Sequence, residues 1–312
     1  MPQIRFPDTS AVDDAVELLR QGRLVAVPTE TVYGLAADAT NGKAVAEIYA
    51  AKGRPSFNPL IAHVHDAEMA ARYAHIDDLA SLLMERFWPG PLTLVVPKRT
   101  SCKLADIVTA GLATVALRSP DHPVPRQLIE RLGRPLAAPS ANASGRISPT
   151  TAAHVAASLG ERVPLILDGG SCGIGLESTI VAVGDGGIRL LRPGSVSFEE
   201  LADFAPVSLA AKHNPITAPG QLKSHYAPAK PVRLDATTAR DDEFHIGFGE
   251  VAGDLNLSVA GSLTEAAAVL FAALHTADAS ERAAIAVAPV RKEGLGAAIN
   301  DRLSRAAMVE DK

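Results

Sequence analysis

From Leu24 to Val183 short apolar runs alternate with stretches of helical period, and this alternation constrains the fold more than any other feature. LVAVP (Leu24–Pro28), LIAHV (Leu60–Val64), LTLVV (Leu92–Val96), TVALR (Thr114–Arg118), PLAAPS (Pro135–Ser140) and PLILD (Pro164–Asp168) predict strands. Between them, Val12, Val16 and Leu19 recur at helical spacing after a cap at Ser10 and stop at Gly22. Asn41–Ala51, Asp77–Phe87, Val124–Gly133 and Thr150–Leu159 predict further helices, with Val45, Ile48 and Tyr49 of the first turned inward. STIVAV and IRLLRPG predict a hairpin around Gly184–Gly187, trailed by a helix over Ser197–Ala205. Strands interleaved with helices argue for an α/β domain with a mixed sheet, ending near Pro193–Gly194.

Periodicity then fades. From about Ala205 to Pro231 the chain carries Pro206, Pro215, Pro219, Gly220, Pro228 and Pro231, the composition of an extended linker. VRLD, FHIGF, a helix from Ser262 to His275, AIAVAPV and a helix from Glu293 to about Ala307 predict a second, smaller α/β unit. A length of 312 residues suits two domains. Aromatic residues make up only 4%, so Ala, Val, Leu and Ile must fill the cores. Cys102 and Cys172 are too few for a disulfide framework and read as reduced thiols. The start MPQIRFPDTS lacks a charged-then-apolar leader pattern, and no apolar run approaches the roughly 18 residues needed to span a bilayer. The expectation is a soluble, cytoplasmic protein without membrane contact. A net charge of −5 argues against strong general nucleic-acid binding, while leaving room for a local basic pocket.

Several common chemistries find no support. Gly42-Lys43-Ala44 lacks the leading glycine and the hydroxyl of a P-loop, and GFGEVAG (Gly247–Gly253) has the wrong glycine spacing for a dinucleotide fingerprint. His63 and His65 share a strand face, but nothing completes a metal set around them; one pocket and one surface histidine are expected. No nucleophile elbow is present. What remains is a pairing of Lys52 with Arg54 and of Ser140 with Asn142, each two residues apart where an element gives way to a loop. In extended chain such residues point the same way, so one pair offers two cations and the other a hydroxyl and an amide. Two crowded cations suit a phosphate chain, and the neutral pair suits phosphate or sugar oxygens. The same cations also suit a helix C-terminal dipole, and SANASG also reads as an ordinary loop. Arg118 ends a strand, where arginines often cap or salt-bridge. The glycine-rich DGGSCGIGLESTIV (Asp168–Val181) fits close approach to a ligand or plain turns.

The ordered set PTETVYGL, KGRPSFNPL, WPGPLTLV, TVALRSP, APSANASG, GLESTIV, LRPG and HYAP, with NDRLSRAA near the end, resembles the long, two-domain form of the threonylcarbamoyl-AMP synthase family. The resemblance covers nearly the whole chain. It implies a YrdC-like twisted mixed-sheet domain over residues 8–198, a linker or lid over 199–231, and a Rossmann-like α/β domain over 232–312. It implies that L-threonine, bicarbonate and ATP, with Mg²⁺, form threonylcarbamoyl-AMP and pyrophosphate, the first step of threonylcarbamoyladenosine formation in tRNA. It places Lys52, Arg54, Ser140 and Asn142 at the catalytic centre. ATP would meet Arg54, Asn58, Thr114, Ser140, Ser148, Arg192 and Tyr226; threonine would meet Thr31, His63, Arg118, the backbone at Ala138, and Ser178. No resident protein metal is implied, and transient contact with the tRNA threonylcarbamoyl-transfer machinery is. The chemistry of these residues agrees: an arginine suits a carboxylate, and adenylation calls for positioning and charge stabilisation more than a covalent nucleophile. The linker would close over a labile carbamate, bending at Pro219 and Gly220 and bringing Tyr226 onto the nucleotide. The residues before HYAP in APGQLKSHYAP are more polar than the family pattern. The competing readings are a double-stranded RNA or tRNA-binding module without catalysis, a carbamoyl-handling relative with another acceptor, and a non-enzymatic partner protein.

Overall fold

The computed structural model describes residues 2–184, 186–210 and 225–308. The first unit runs β1 (Gln3–Arg5), α1 (Thr9–Arg20), β2 (Val25–Val27), β3 (Gly34–Asp38), α2 (Gly42–Lys52), β4 (Ile61–His63), α3 (Ala67–Ala71), α4 (Asp78–Phe87), β5 (Leu92–Pro97), α5 (Asp106–Thr109), β6 (Thr114–Arg118), α6 (Pro123–Leu132), β7 (Leu136–Ala137), α7 (Ala152–Leu159), β8 (Leu165–Leu167), β9 (Thr179–Gly184), β10 (Gly187–Arg192), α8 (Phe198–Ala202) and β11 (Val207–Leu209). Its strands form one sheet in the order β1-β8-β2-β3-β7-β4-β6-β5-β9-β10-β11. β4 runs parallel to β6 and β5 to β9, whereas β5–β6, β4–β7 and the β9–β10 hairpin are antiparallel, so the sheet is mixed as expected.

Side-chain alternation gives the sheet two different faces. Leu94 and Val96 of β5, Val115 and Leu117 of β6 and Val181 and Val183 of β9 join the main core, shared with residues of α1, α2, α4 and α6. Val95, Ala116 and Ile180, with Ile61 and Leu191, form a small separate cluster on the opposite face. His63, in step with Ile61, and Arg118, in step with Ala116, belong to this second face, which carries the candidate site.

The second unit is β12 (Val232–Arg233), β13 (Glu243–Gly247), β14 (Leu255–Asn256), α9 (Leu263–Ala279), β15 (Ala284–Val287) and α10 (Leu295–Ala306). Its sheet is wholly parallel, in the order β12-β15-β13-β14. The units share a core: Val32, Ile147 and Leu176 of the first pack with Leu270, Phe271 and Leu274 of α9. Gly175 makes this approach possible. It sits at φ +75, and a Cβ there would lie 2.5 Å from the backbone oxygens of Ala267 and Ala268.

Several sequence expectations need correction. Asp8, not Ser10, caps α1, accepting the Ala11 N–H at 2.7 Å. PLAAPS is a regular strand only over Leu136–Ala137; beyond it Ala138 N still donates to Ile61 O and Leu35 N to Pro139 O, but Pro139 has no N–H to return. β3 went unread because Gly34–Asp38 is buried on both faces and so shows no alternation. β1 opens the first unit before residue 8, and β11 pairs with β10 inside the expected linker, so that unit extends past residue 199. Pro215, Pro219 and Gly220 lie outside the described residues. Where the chain resumes, Ala227 N donates to Gly145 O at 2.8 Å and Arg146 reaches Pro228 O at 3.3 Å, anchoring it beside the SANASG loop. Cys102 and Cys172 are free thiols.

Candidate active site

A cavity on the second face of the large sheet is lined by residues that include Thr31, Arg54, His63, Arg118, Ala138, Ser140, Ser178 and Arg192, all expected, together with Thr29, Glu177 and His225. Its position follows from the strands. The parallel register His63↔Arg118 sets those two side by side, the β4–β7 pairing brings Ala138 against Ile61 of β4, and the Gly34↔Ser140 bridge holds Ser140 against β3. Thr114 lies two residues before the part of β6 that pairs with β4, opposite Pro97 of β5, and does not line the cavity.

At the Arg118 end, the guanidinium donates from Nε to Gly90 O at 3.1 Å and from Nη1 to Thr31 Oγ1 at 3.0 Å, and it pairs with Glu30. Thr31 is held in turn by Thr29 at 2.8 Å. Ser178 Oγ meets Thr93 at 2.7 Å, and Arg192 donates to Ser178 O from Nε and Nη2. His63 is buried, its Nδ1 has no partner among the described residues, and burial followed by Arg118 pulls its pKa down to about 3. It is therefore neutral near pH 7 and offers hydrogen bonds rather than charge. His65 lies two residues on, half-buried and paired with Asp66, which fits the division into one pocket and one surface histidine.

At the other end, residues two apart do not point the same way. Lys52 is the last residue of α2 and Gly53 is left-handed at φ 62, so this stretch is not extended. Lys52 Nζ turns onto the carbonyls of Ser140 and Asn142, both at 2.5 Å. Arg54 turns onto the carbonyls of Asn58 and Pro59, at 3.1 and 2.8 Å. Asn142 likewise points away from Ser140: its amide donates to Ala143 O and Arg146 O, because the SANASG loop curls over the end of α2. Arg54 and Ser140 line the cavity, while Lys52 and Asn142 form the layer beneath. Asn58 is buried, and neither atom of its amide group has a partner among the described residues. Buried polar groups are normally satisfied, so Asn58 and His63 mark this face as built to receive a polar ligand.

The electrostatics favour an anion. Lys52, Arg54 and Arg192 are 3%, 9% and 4% exposed and, among the described residues, hydrogen-bond only neutral acceptors. Burial, then Arg54, holds Lys52 well below the usual lysine range. Burial brings Arg54 down to about 10, against an opposing pull from Tyr49. Such desolvated cations interact strongly with a polyanion brought to them. The two carboxylates nearby, Glu30 and Glu177, are both taken, by Arg118 and by Arg302 with Ser148.

Ser148 and Tyr226 stand one layer out. Ser148 donates to Glu177, and Tyr226 packs edge-on against the cavity-lining His225 at 4.1 Å. Fully buried Tyr226 belongs to the core shared by the two units rather than to the cavity wall. Residue reasoning missed Glu30, Glu177, His225 and Arg302. The first three stand inside PTETVYGL, GLESTIV and HYAP, where attention to every polar position would have found them. Arg302 had a fainter signal: it interrupts the apolar stripe Ala298, Ile299, Leu303 and Ala306 of α10.

Comparison with known proteins places these features. A family model described as telomere recombination matches residues 17–194, and one described as threonylcarbamoyl-AMP synthase, C-terminal domain, matches residues 196–308. A threonylcarbamoyl-AMP synthase of Bacillus subtilis is 47% identical over 229 residues, covering 72% of this chain and 66% of the relative. One of Pyrococcus abyssi is 39% identical over 317 residues, covering 94% and 93%. The solved structure of P. abyssi Sua5 complexed with L-threonine superposes with a TM-score of 0.88 at 37% identity, covering 98% of this chain and 97% of that one.

Proposed function

The chain belongs to the threonylcarbamoyl-AMP synthase family, and on that premise we propose that it joins L-threonine, bicarbonate and ATP into threonylcarbamoyl-AMP, with release of pyrophosphate, as the first step of tRNA threonylcarbamoyladenosine formation. One observation carries the reading: in a single cavity two buried arginines with neutral partners, Arg54 and Arg192, backed by Lys52 one layer beneath, adjoin an Arg118–Thr31 niche. A triphosphate suits the first and a small hydroxy amino acid suits the second.

In this reading Arg118, Thr31, His63, Ser178 and the Ala138 backbone receive threonine. Its carboxylate approaches a guanidinium whose orientation Gly90 O and Thr31 already fix. The threonine amine attacks the carbon of bicarbonate, one C–O bond breaks, and that oxygen leaves as water with a proton from the amine, giving a carbamate. A carbamate oxygen then attacks the α-phosphorus of ATP, the bond to the β-phosphate oxygen breaks, and pyrophosphate leaves. Arg54 and Arg192, with Lys52 behind the Ser140–Asn142 loop, stabilise the charge gathering on the leaving group. Asn58, Thr114, Ser140, Asn142 and Ser148 line or buttress the nucleotide's course, and Tyr226 supports it through His225. Mg²⁺ enters with the triphosphate as part of the substrate, which suits a site whose two carboxylates already have arginine partners. Product passes to the tRNA threonylcarbamoyl-transfer machinery. Among the described residues no helix is long and apolar enough to cross a membrane, which agrees with a cytoplasmic role.

Pyrophosphate release should require threonine and bicarbonate together. Equal turnover with any amino acid, or with none, would overturn the proposal. The RNA-binding alternative is disfavoured because the cations lie beneath the surface rather than across it.

A further inference from the structure

Arg302 sits on α10 of the second unit, fully buried, yet its main partner belongs to the first. Its Nε donates to Glu177 Oε2 at 2.8 Å, its Nη1 to Asp301 at 2.8 Å, and its guanidinium carbon lies 5.2 Å from the centre of the Tyr226 ring. Glu177 lines the cavity and also accepts from Ser148. A second tie lies close by: His275 of α9 contacts Ser148 O at 3.2 Å and stacks on His154 at 3.9 Å. The second unit thus grips the cavity wall directly at Glu177 and the layer behind it at Ser148 and Tyr226.

Burying an ion pair is a poor way to stabilise a fold, because apolar residues of similar size commonly serve as well. Its place here has a different consequence. Glu177 lies within electrostatic reach of Lys52 and Arg192. An uncompensated carboxylate there would cancel part of their charge and repel a polyphosphate. We infer that Arg302 is a positioning residue of the nucleotide site: it neutralises Glu177 and braces Tyr226, so that cavity-lining Arg192, with Lys52 behind the wall, offers the triphosphate its full charge only when the second unit is docked. This rests on the proposed use of ATP, and it gives the second unit a defined part in the chemistry.

Calorimetric titration of the full chain with Mg²⁺-ATP tests it. R302M should bind ATP about tenfold or more weakly, with threonine binding altered less than about twofold, since Arg118 holds the other end. R302M/E177Q, which removes both charges, should return to within about threefold of wild type. R302K, which keeps the charge, should fall between wild type and R302M. Wild-type affinity in R302M, or equal loss in R302M and the double variant, would overturn the inference. If R302M does not fold, the double variant decides alone: near-wild-type affinity supports the inference and a tenfold loss overturns it. A wild-type chain that binds ATP without threonine-dependent pyrophosphate release sinks the proposed reaction, while the binding series still judges Arg302. A chain that binds no ATP sinks both.

Discussion

Lys52 and Arg54 show how much a single residue's surroundings decide. Both are buried, and both are spent on backbone carbonyls that shape the loops around the cavity. Lys52→Ala or Arg54→Ala should lower threonine-dependent pyrophosphate release by about 10²–10³, the scale set by losing one preorganised charge or donor. A wild-type rate in either would remove that residue from the mechanism. His63 and His225 make a separate prediction. Burial first, with nearby cations adding, takes each from 6.5 to about 3, although Glu177 opposes this at His225. The unfolded chain takes up these protons near pH 6.5, and the folded chain resists until about 3. Stability should therefore be full above pH 6.5 and fall as the pH drops toward 3, by up to about 1.4 kcal/mol per unit for each group. Urea unfolding of His63→Gln should lose about 2 kcal/mol less than wild type between pH 7 and 5. An equal loss in both would show that His63 is not held neutral.

At the scale of elements, the site depends on short pieces whose pairing is incomplete. β7 contributes two regular residues, and the chain beyond it, weakened by the missing N–H of Pro139 yet still bonded to Ile61 and Leu35, carries Ala138 and Ser140 to the cavity. Gly53 ends α2 in the left-handed region, which sends Lys52 and Arg54 to different loops. Gly175 lets α9 rest directly on the GLESTIV segment. Gly175→Ala should cost about 1–3 kcal/mol by overpacking, read as a lower urea midpoint, and should weaken ATP binding in parallel because α9 and α10 dock together. A variant as stable as wild type would mean the two units do not meet as tightly as Gly175 requires.

Across the whole molecule, the charge distribution separates an enzyme pocket from a nucleic-acid surface. Net charge is −5, and the cations that matter, Lys52, Arg54 and Arg192, are buried. RNA binding should consequently be weak, with no steep loss between about 50 and 200 mM salt. Fluorescence anisotropy with a duplex RNA and a tRNA checks this, and tight, steeply salt-dependent binding would restore the RNA-binding alternative.

Much was legible in the amino-acid order alone. Alternating apolar runs and helical periods specify an α/β unit, because a strand repeats every two residues and a helix every 3.6. TVALR lies at Thr114–Arg118 as its composition requires, and the ordered segments from PTETVYGL to LRPG mark most of the cavity wall. What the order could not convey was direction and distance. Whether Lys52 and Arg54 share a side depends on the dihedral angles at Gly53. β3, buried on both faces, lacks the alternation that would announce it. Glu177 and Arg302 stand 125 residues apart, and only the packing of the two units into one shared core, seated through Gly175, brings one charge to the other.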